Sequence, residues 1–199
     1  SIAIEEDISD IAEMTEALGS MFRYNISRPG EIATLSEEIE NSKNYLIIQQ
    51  YRFPDKFTVE WKLEEGEDIL RFTLPVLTIQ PILENAIHHG LEPIMGTGKI
   101  TVRIWTTDSK LIISVEDSGA GISDSRLRDL RKQLDQNFFE GSKNKSDTKQ
   151  KKGRNGIALA NVHQRIQLYF GENYGLEIYS TEGVGTSVHI ILPKYDRKV

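Results

Sequence analysis

The sequence predicts an α+β fold in which helices and strands are grouped rather than alternating. Two helical patterns come first, over residues 1–28 and 34–53, and runs of alternating apolar residues follow them. Two of these runs are joined by a short turn, which is typical of an antiparallel hairpin. A doubly wound parallel sheet requires strict alternation of strands and helices, which is missing. We therefore expect helices packed over a mixed, mainly antiparallel sheet.

Composition excludes several classes of protein. The chain has 199 residues, 38% of them hydrophobic and 27% charged, which is enough for one sizeable core and a smaller helical unit. Its net charge of -6 argues against bulk attraction to nucleic acid or to an anionic membrane. The absence of cysteine excludes disulfides, thiolate metal sites and a cysteine nucleophile. No apolar run approaches the ~18 residues of a membrane span.

Residues 1–28 predict a long helix that packs against other helices. Its apolar side chains recur at nearly heptad spacing. They are Ile4, Ile8, Ile11, Leu18 and Phe22. The alternative is an ordinary amphipathic helix that lies on the core of its own domain. After a break at Arg28-Pro-Gly30, Thr34 and Glu37 have the spacing of a capping box and predict a second helix to about Phe53.

The central segment predicts a strand and then a buried helix. Alternation from Phe57 to Leu63 indicates a half-buried strand. Pro75 is well placed to begin a helix, Pro81 to kink or restart it, and Gly90 to end it. The apolar residues of this helix share one face. They surround an amide, Asn85, which must find a partner because an unpaired buried amide is costly.

The remaining patterns complete the sheet. Alternation predicts a hairpin over residues 100–115 that leads directly to Asp117. A polar segment that is rich in lysine has too few apolar residues to join a core, so we expect a mobile loop there. The other predicted elements are a short helix over residues 123–137, this loop over 141–155, a helix over 156–170 and strands over 176–180 and 186–192.

Three separate segments predict a nucleotide site when they are taken together. A carboxylate such as Asp117 can accept a hydrogen bond from an adenine amino group, and Gly119 and Gly121 permit close approach. The helix N-terminus near Gly156 offers backbone N–H groups and a favourable dipole to phosphates. The carbonyl of Asn85 is an oxygen ligand of the kind that Mg²⁺ accepts. Each piece alone is often a turn, a cap or a bonded amide, and only the ordered set indicates a nucleotide.

These segments resemble the ATP-binding fold shared by sensor histidine kinases, type II topoisomerases and MutL-type ATPases. Asn85 corresponds to the N box, and Asp117–Gly121 and Gly156–Leu159 correspond to the two glycine boxes. Nearly the whole chain is similar to the LytS/YesM class of sensor histidine kinases, including Gln80-Pro-Ile-Leu-Glu-Asn85 and Asn161-Val-His-Gln-Arg165. The resemblance implies a two-layer α/β sandwich of the Bergerat type, with helices on one face of the sheet and a helical dimerisation segment before it.

The resemblance also implies roles for individual residues. Asn85 would coordinate Mg²⁺, and Asp117 would recognise adenine with help from Thr186. His88 stands where many histidine kinases have a lysine that contacts phosphate, and His89 is the histidine that precedes the family's glycine. Both histidines are candidate catalytic residues, together with Asn85. The residues assigned to the nucleotide are Asn85, Asp117, Gly119, Gly121, Gly156, Leu159, Asn161 and Thr186.

A domain layout and a set of partners follow from the same resemblance. Residues 1–33 would be part of the dimerisation segment and residues 34–199 the ATP-binding catalytic domain. Helix 34–53 would lie at the junction, and an ATP lid over about 118–155 would hinge at its glycines. ATP and Mg²⁺ are the implied substrate and cofactor. In the full sensor, the chain would be the cytoplasmic part of a membrane-anchored homodimer that passes phosphate to a response-regulator aspartate.

Two departures from the family pattern bear on this function. Ala158 replaces a glycine of the second glycine box, and its methyl group could crowd the phosphates. The family's acceptor histidine lies in a Pro-His-Phe-type motif, which this sequence lacks. We therefore expect the histidine that is phosphorylated to lie upstream of this sequence.

Two other functions stay open at this point. An ATPase or molecular switch of the topoisomerase or MutL kind uses a glutamate, four residues before the Mg²⁺ asparagine, to activate water. That position is Pro81 here, and Glu84 points about 100° away around the helix, which favours a kinase over a hydrolase. The second alternative is a regulatory module that binds nucleotide without catalysis. Ala158 and the missing acceptor motif are compatible with it.

Overall fold

The computed structural model covers residues 2–27, 32–64, 67–135 and 155–194. The expected lysine-rich loop lies outside these residues except for its last position. The helices and strands are α1 (Ile2–Ser27), β1 (Ile32–Thr34), α2 (Leu35–Arg52), β2 (Phe57–Leu63), β3 (Thr73–Pro75), α3 (Gln80–Asn85), β4 (Gly98–Thr106), β5 (Lys110–Asp117), α4 (Asp124–Asp135), α5 (Asn155–Phe170), β6 (Gly175–Thr181) and β7 (Gly185–Pro193).

A five-stranded sheet forms one layer of the domain, in the order β2-β4-β5-β7-β6. Strand β2 pairs with β4 in parallel, and every other pair is antiparallel. Ile100, Ile113 and Ile190 have no solvent exposure and form the core with helices α3 and α5, while Arg103 on the opposite face is exposed. The predicted sandwich of helices on a mixed, mainly antiparallel sheet is confirmed.

Helix α2 begins at the predicted capping box. The Thr34 hydroxyl accepts a hydrogen bond from the Glu37 N–H at 3.3 Å, and the Glu37 carboxylate accepts one from the Thr34 N–H at 2.8 Å. The two bonds satisfy backbone donors that the first helical turn leaves unpaired. This local signal therefore places the start of α2 correctly.

Helix α1 lies antiparallel along α2. Tyr51 near the end of α2 donates to Asp10 and Glu13 of α1, and Ala17 of α1 is buried. The outer face of α1 is an exposed apolar stripe. It consists of Ile8, Ile11, Leu18, Phe22 and Ile26, with between 46% and 73% of each residue's surface accessible. No helix in the part of the chain described above is long and apolar enough to cross a lipid bilayer.

The segment before the central helix differs from the prediction. Pro75 does not begin a helix but ends strand β3, which pairs with β1 in a separate two-stranded sheet. Helix α3 begins at Gln80, so Pro81 falls in its first turn, where a missing N–H costs nothing and no kink results. Gly90 does not end the helix either, because α3 continues as a π-helical turn, Ala86–Leu91. Such turns are frequent at functional sites.

Candidate functional site

A cavity of about 570 Å³ lies between the sheet and helices α3, α4 and α5. Its volume is in the range of small-molecule sites, which is about 300–1,000 Å³. Seven of the predicted site residues line it: Asn85, His89, Asp117, Gly121, Gly156, Leu159 and Thr186. The structure does not bring His88, Gly119 or Asn161 to the cavity surface.

Asp117 lies at the end of strand β5 and faces the cavity. Its Oδ1 accepts a hydrogen bond from the Gly119 N–H at 2.9 Å, and the carboxylate also accepts one from the Thr186 N–H. Burial raises the pKa of Asp117 to about 6, and these two hydrogen bonds oppose the rise. The group is therefore mostly ionised at pH 7 and can accept a hydrogen bond from a ligand.

A hydroxyl pair adjoins this carboxylate. Ser180 Oγ donates a hydrogen bond to the Gly185 carbonyl and accepts one from the Ile122 N–H, each at 2.9 Å. The same oxygen lies 2.9 Å from Thr186 Oγ1. The single proton of Ser180 is used on Gly185, so Thr186 must donate to Ser180. The Thr186 oxygen therefore presents only lone pairs to a ligand. Ser180 was not identified from the sequence, because a lone serine in a strand carries no signal.

Asn85 forms part of the cavity wall at the end of α3. Its side-chain nitrogen donates to the Pro81 carbonyl at 2.6 Å, one turn back along the helix. This bond uses one of the two N–H donors of the amide and fixes the orientation of the amide plane. The carbonyl oxygen Oδ1 has no hydrogen bond within the described part of the chain, so it is the group available to a cation.

The start of α5 packs closely against α4 at the cavity edge. A Cβ atom on Gly156 would lie 2.2 Å from Oε1 of Gln133, so a larger residue there would require the Gln133 side chain to move. Leu159, one turn further, is buried and contributes to the apolar wall. Ala158 does not line the cavity, so its methyl group does not narrow the space.

The two adjacent histidines have different surroundings. His88 turns away from the cavity, with Nδ1 3.0 Å from the Glu92 carboxylate and its ring edge-on to Phe53. His89 lies at the cavity rim, four residues after Asn85, and this helical spacing places both on one face. Partial burial lowers the pKa of His89, and the nearby positive charges of His88 and Arg126 lower it further.

Helix α4 supplies polar residues to the rim that sequence reasoning missed. Arg126 is exposed and lines the cavity close enough to His89 to affect its pKa. Asp129 and Gln133 follow on the same helix. These residues belong to no recognisable motif. The only feature of the sequence that could have identified them was their position inside the predicted lid. Apolar side chains from α3, α5 and the sheet form much of the remaining lining, and they include Ile82, Val115, Leu159, Ile178 and Val188.

Comparisons with known proteins agree with this geometry. The sequence model described as "Histidine kinase-, DNA gyrase B-, and HSP90-like ATPase" matches residues 73–196, and the model described as "Histidine kinase" matches residues 1–57. Sensor histidine kinase YesM of Bacillus subtilis is 32% identical over 183 residues, which are 92% of this chain and 28% of that protein. Sensor protein LytS of Oceanobacillus iheyensis is 34% identical over 178 residues, 88% of this chain and 28% of that protein.

Solved structures with a similar fold come from the same group of proteins. The mycobacterial sensor histidine kinase MprB is similar over 83% of this chain and 97% of that one, with a TM-score of 0.53 and 16% identity. The catalytic domain of histidine kinase ThkA is similar over 86% of this chain and 99% of that one, with a TM-score of 0.55 and 15% identity. The present chain spans a little more than a quarter of the length of its curated relatives YesM and LytS.

Proposed function

Because this chain belongs to the sensor histidine kinases and contains the ATP-binding domain that they share with DNA gyrase B and HSP90, we propose that it transfers the γ-phosphoryl group of ATP to a histidine. The observation that carries the proposal is the cavity itself. It unites Asn85, Asp117 and Thr186 with the N-terminus of α5, although these residues come from separate segments.

The two ends of the cavity suit the two ends of ATP. Asp117 and Thr186 present hydrogen-bond acceptors beside an apolar wall, which matches a flat base with an exocyclic amino group. The N-terminus of α5 offers N–H groups to phosphates, and His89 and Arg126 lie at the rim. A guanine base would place its carbonyl oxygen against the Asp117 carboxylate, so the site should discriminate against it.

The residues present also fit Mg²⁺. Asn85 Oδ1 accepts no hydrogen bond from the residues that the structure describes, and amide oxygens are ligands for this ion. The described residues contain no group of three or more acidic or histidine side chains arranged around one point, so the ion would depend on oxygens of the nucleotide. Mg²⁺ bound together with ATP neutralises the negative charge of the phosphate oxygens. Asn85 would hold the ion, and the Pro81 bond would keep its amide in place.

We place the acceptor histidine outside this sequence. His163 is buried in the core and His189 lies between Trp105 and Tyr179 on the open face of the sheet, so neither faces the cavity. In the proposed transfer, a nitrogen of the acceptor attacks the γ-phosphorus, the bond to the β–γ bridging oxygen breaks, and ADP leaves. In this transfer the described residues would supply position and electrostatics, and the acceptor histidine would form the new covalent bond to phosphorus.

The exposed stripe of α1 supports a homodimeric bundle. Its apolar side chains have no cover among the residues that the structure describes, and their spacing suits packing against further helices. We propose that a second copy and the acceptor helix cover the stripe. We further propose that the complete protein is a membrane-anchored sensor, with this part on the cytoplasmic side, and that a response-regulator aspartate receives the phosphate.

The ATPase alternative has no carboxylate at the position where its base is expected. Pro81 occupies the position from which a glutamate would activate water. Glu84 does not line the cavity, and its Oε1 accepts from the Gln80 side chain at 2.8 Å. Both observations favour transfer to a protein over hydrolysis.

Nucleotide selectivity tests the proposal at the level of the cavity. Titration calorimetry of the chain with Mg·ATP and Mg·GTP should show at least a hundredfold preference for ATP, because a carboxylate rejects a ligand that cannot donate to it. Asp117→Asn can donate as well as accept, so it should reduce the preference as well as the affinity. Equal affinity for the two nucleotides would contradict the assignment of Asp117 to the base.

A further inference from the structure

Glu38 is a fully buried carboxylate that takes no part in the cavity. It lies on α2 with no solvent exposure, and its two oxygens accept hydrogen bonds from three consecutive backbone N–H groups. The donors are Leu77 at 2.6 Å, Thr78 at 2.9 Å and Ile79 at 3.0 Å. A buried carboxylate is costly unless it is fully bonded, so Glu38 acts as a fixed template for these three residues.

The templated segment leads directly into α3 and is held from its other side by Arg165 of α5. Arg165 Nη2 donates to the Leu77 carbonyl at 2.6 Å. Leu77 has φ of +57°, a left-handed conformation that is unfavourable for a residue other than glycine. Such a conformation persists only where the surroundings impose it, and Glu38 and Arg165 do so from α2 and α5.

Tyr24 connects this clamp to α1. Its hydroxyl is hydrogen-bonded to the same Glu38 carboxylate that holds the segment. Asn85 lies only six residues beyond Ile79, which is about 9 Å along a rigid helix. A change in how α1 packs would therefore shift Asn85 through two sets of hydrogen bonds. The first joins Tyr24 to Glu38, and the second joins Glu38 to the segment before α3. Asp117 and Thr186 stand on strands β5 and β7 of the sheet, and none of the hydrogen bonds described above joins them to the clamp.

We propose that Glu38 and Arg165 are positioning residues for Asn85, and that Tyr24 makes the Mg²⁺-dependent part of nucleotide binding respond to the packing of α1. This inference rests on the proposed function, because it assigns a regulator to the same site. Asn85 lies closer along the chain to the clamp than Gly90, which touches Asp117, so the signature of the inference is a fall in the advantage that Mg²⁺ confers beyond any general loss of affinity.

The test compares three variants of the whole chain. Calorimetry measures the affinity for ATP with Mg²⁺ and with EDTA, and the ratio of the two affinities is the readout. Glu38→Gln should lower the ratio about tenfold and Tyr24→Phe about threefold, since each loses a hydrogen bond to a charged group. Tyr51→Phe is the matched control. It also removes a hydroxyl that joins α1 to α2, but far from the clamp, and should leave the ratio unchanged.

Each result of these measurements either supports the inference or overturns it. A ratio that stays constant in Tyr24→Phe, or affinity that falls equally with Mg²⁺ and with EDTA, would overturn the inference and leave the clamp a purely structural feature. Tyr24→Phe keeps every backbone bond of Glu38, so it remains decisive even if Glu38→Gln fails to fold. A wild-type chain that binds ATP with no Mg²⁺ advantage would also overturn it. A wild-type chain that binds no nucleotide would overturn the proposed function itself.

Discussion

The backbone of Gly90 lies directly against the carboxylate of Asp117. A Cβ atom on Gly90 would come 2.5 Å from Oδ1 of Asp117, and one on Gly119 would come 2.2 Å from the Gly90 carbonyl. The Ala120 N–H donates to that carbonyl at 2.8 Å. Two residues without side chains thus allow the end of strand β5 to touch the π-helical turn that extends α3. This contact brings the walls that carry Asn85 and Asp117 together.

Replacing Gly90 should therefore damage the base site. In Gly90→Ala the new methyl group must displace the Asp117 carboxylate, so we expect adenine nucleotide affinity to fall at least about tenfold. Gly19→Ala in α1 is the control, because its methyl group would meet only the end of the Arg23 side chain at 3.4 Å. Titration calorimetry of both variants checks the prediction. Unchanged affinity in Gly90→Ala would mean that Asp117 does not contact the base.

The raised pKa of Asp117 predicts that binding depends on pH. A base that donates a hydrogen bond prefers the ionised carboxylate, so affinity should be constant above pH 7 and fall as the pH drops below about 6. Adenosine is the appropriate ligand, because it has no phosphate that titrates in this range. Asp117→Asn should bind more weakly at every pH and show a flat profile. A wild-type profile that is equally flat would argue against this role for Asp117.

The two histidines beside the cavity should differ in importance. His89 lines the cavity, whereas His88 is paired with Glu92 outside it. We expect His89→Ala to lower the rate of phosphoryl transfer about tenfold or more, because it removes a polar group from the rim near the phosphates. His88→Ala should stay within about twofold of the wild type. Equal losses of transfer rate in the two variants, measured in single turnovers, would contradict the prediction that only His89 contributes to transfer.

His163 should limit stability in acid. Its Nδ1 accepts a hydrogen bond from the Leu176 N–H at 2.9 Å, and burial lowers its pKa below the ordinary value of 6.5. The unfolded chain therefore binds a proton more readily. The stability due to the neutral ring is complete above pH 6.5 and is lost as the pH falls through the lowered folded pKa. The contribution of Asp117 to stability changes with pH in the opposite direction, because its pKa in the folded state is raised.

A comparison with His163→Asn isolates this contribution. The Asn oxygen can accept from Leu176 without titrating, and Asp117 is present in both proteins. Urea unfolding should show that the free energy of unfolding falls more in the wild type than in the variant as the pH is lowered from 8 to 5. Parallel curves would exclude His163 as the group responsible.

Local patterns predicted what depends on neighbours in sequence. The capping box at Thr34, the hairpin that delivers Asp117 and the helix that begins near Gly156 were all placed correctly, because turn chemistry and periodicity act over a few residues. The residues proposed to bind the nucleotide were selected through a resemblance to known motifs. The cavity now unites most of them, although their individual roles remain predictions.

Features that depend on distant contacts were missed. Pro75 was predicted to begin a helix, whereas it pairs with Ile32 in a strand. This pairing joins residues more than forty positions apart, so no local pattern indicates it. Gly90 looked like a helix end, whereas its real constraint is the approach of Asp117. No role for Glu38 was predicted from the sequence, because only the fold places three backbone N–H groups around its carboxylate.

The most direct test of the account follows phosphate from γ-labelled ATP with Mg²⁺. The chain is mixed with a longer form of the protein that carries the proposed upstream histidine and is disabled by Asp117→Asn. We predict acid-labile, base-stable label on the longer protein, and its loss when the chain also carries Asp117→Asn. Release of free phosphate without any labelled protein would contradict the kinase assignment, favour the ATPase alternative and require a general base at a position other than 81.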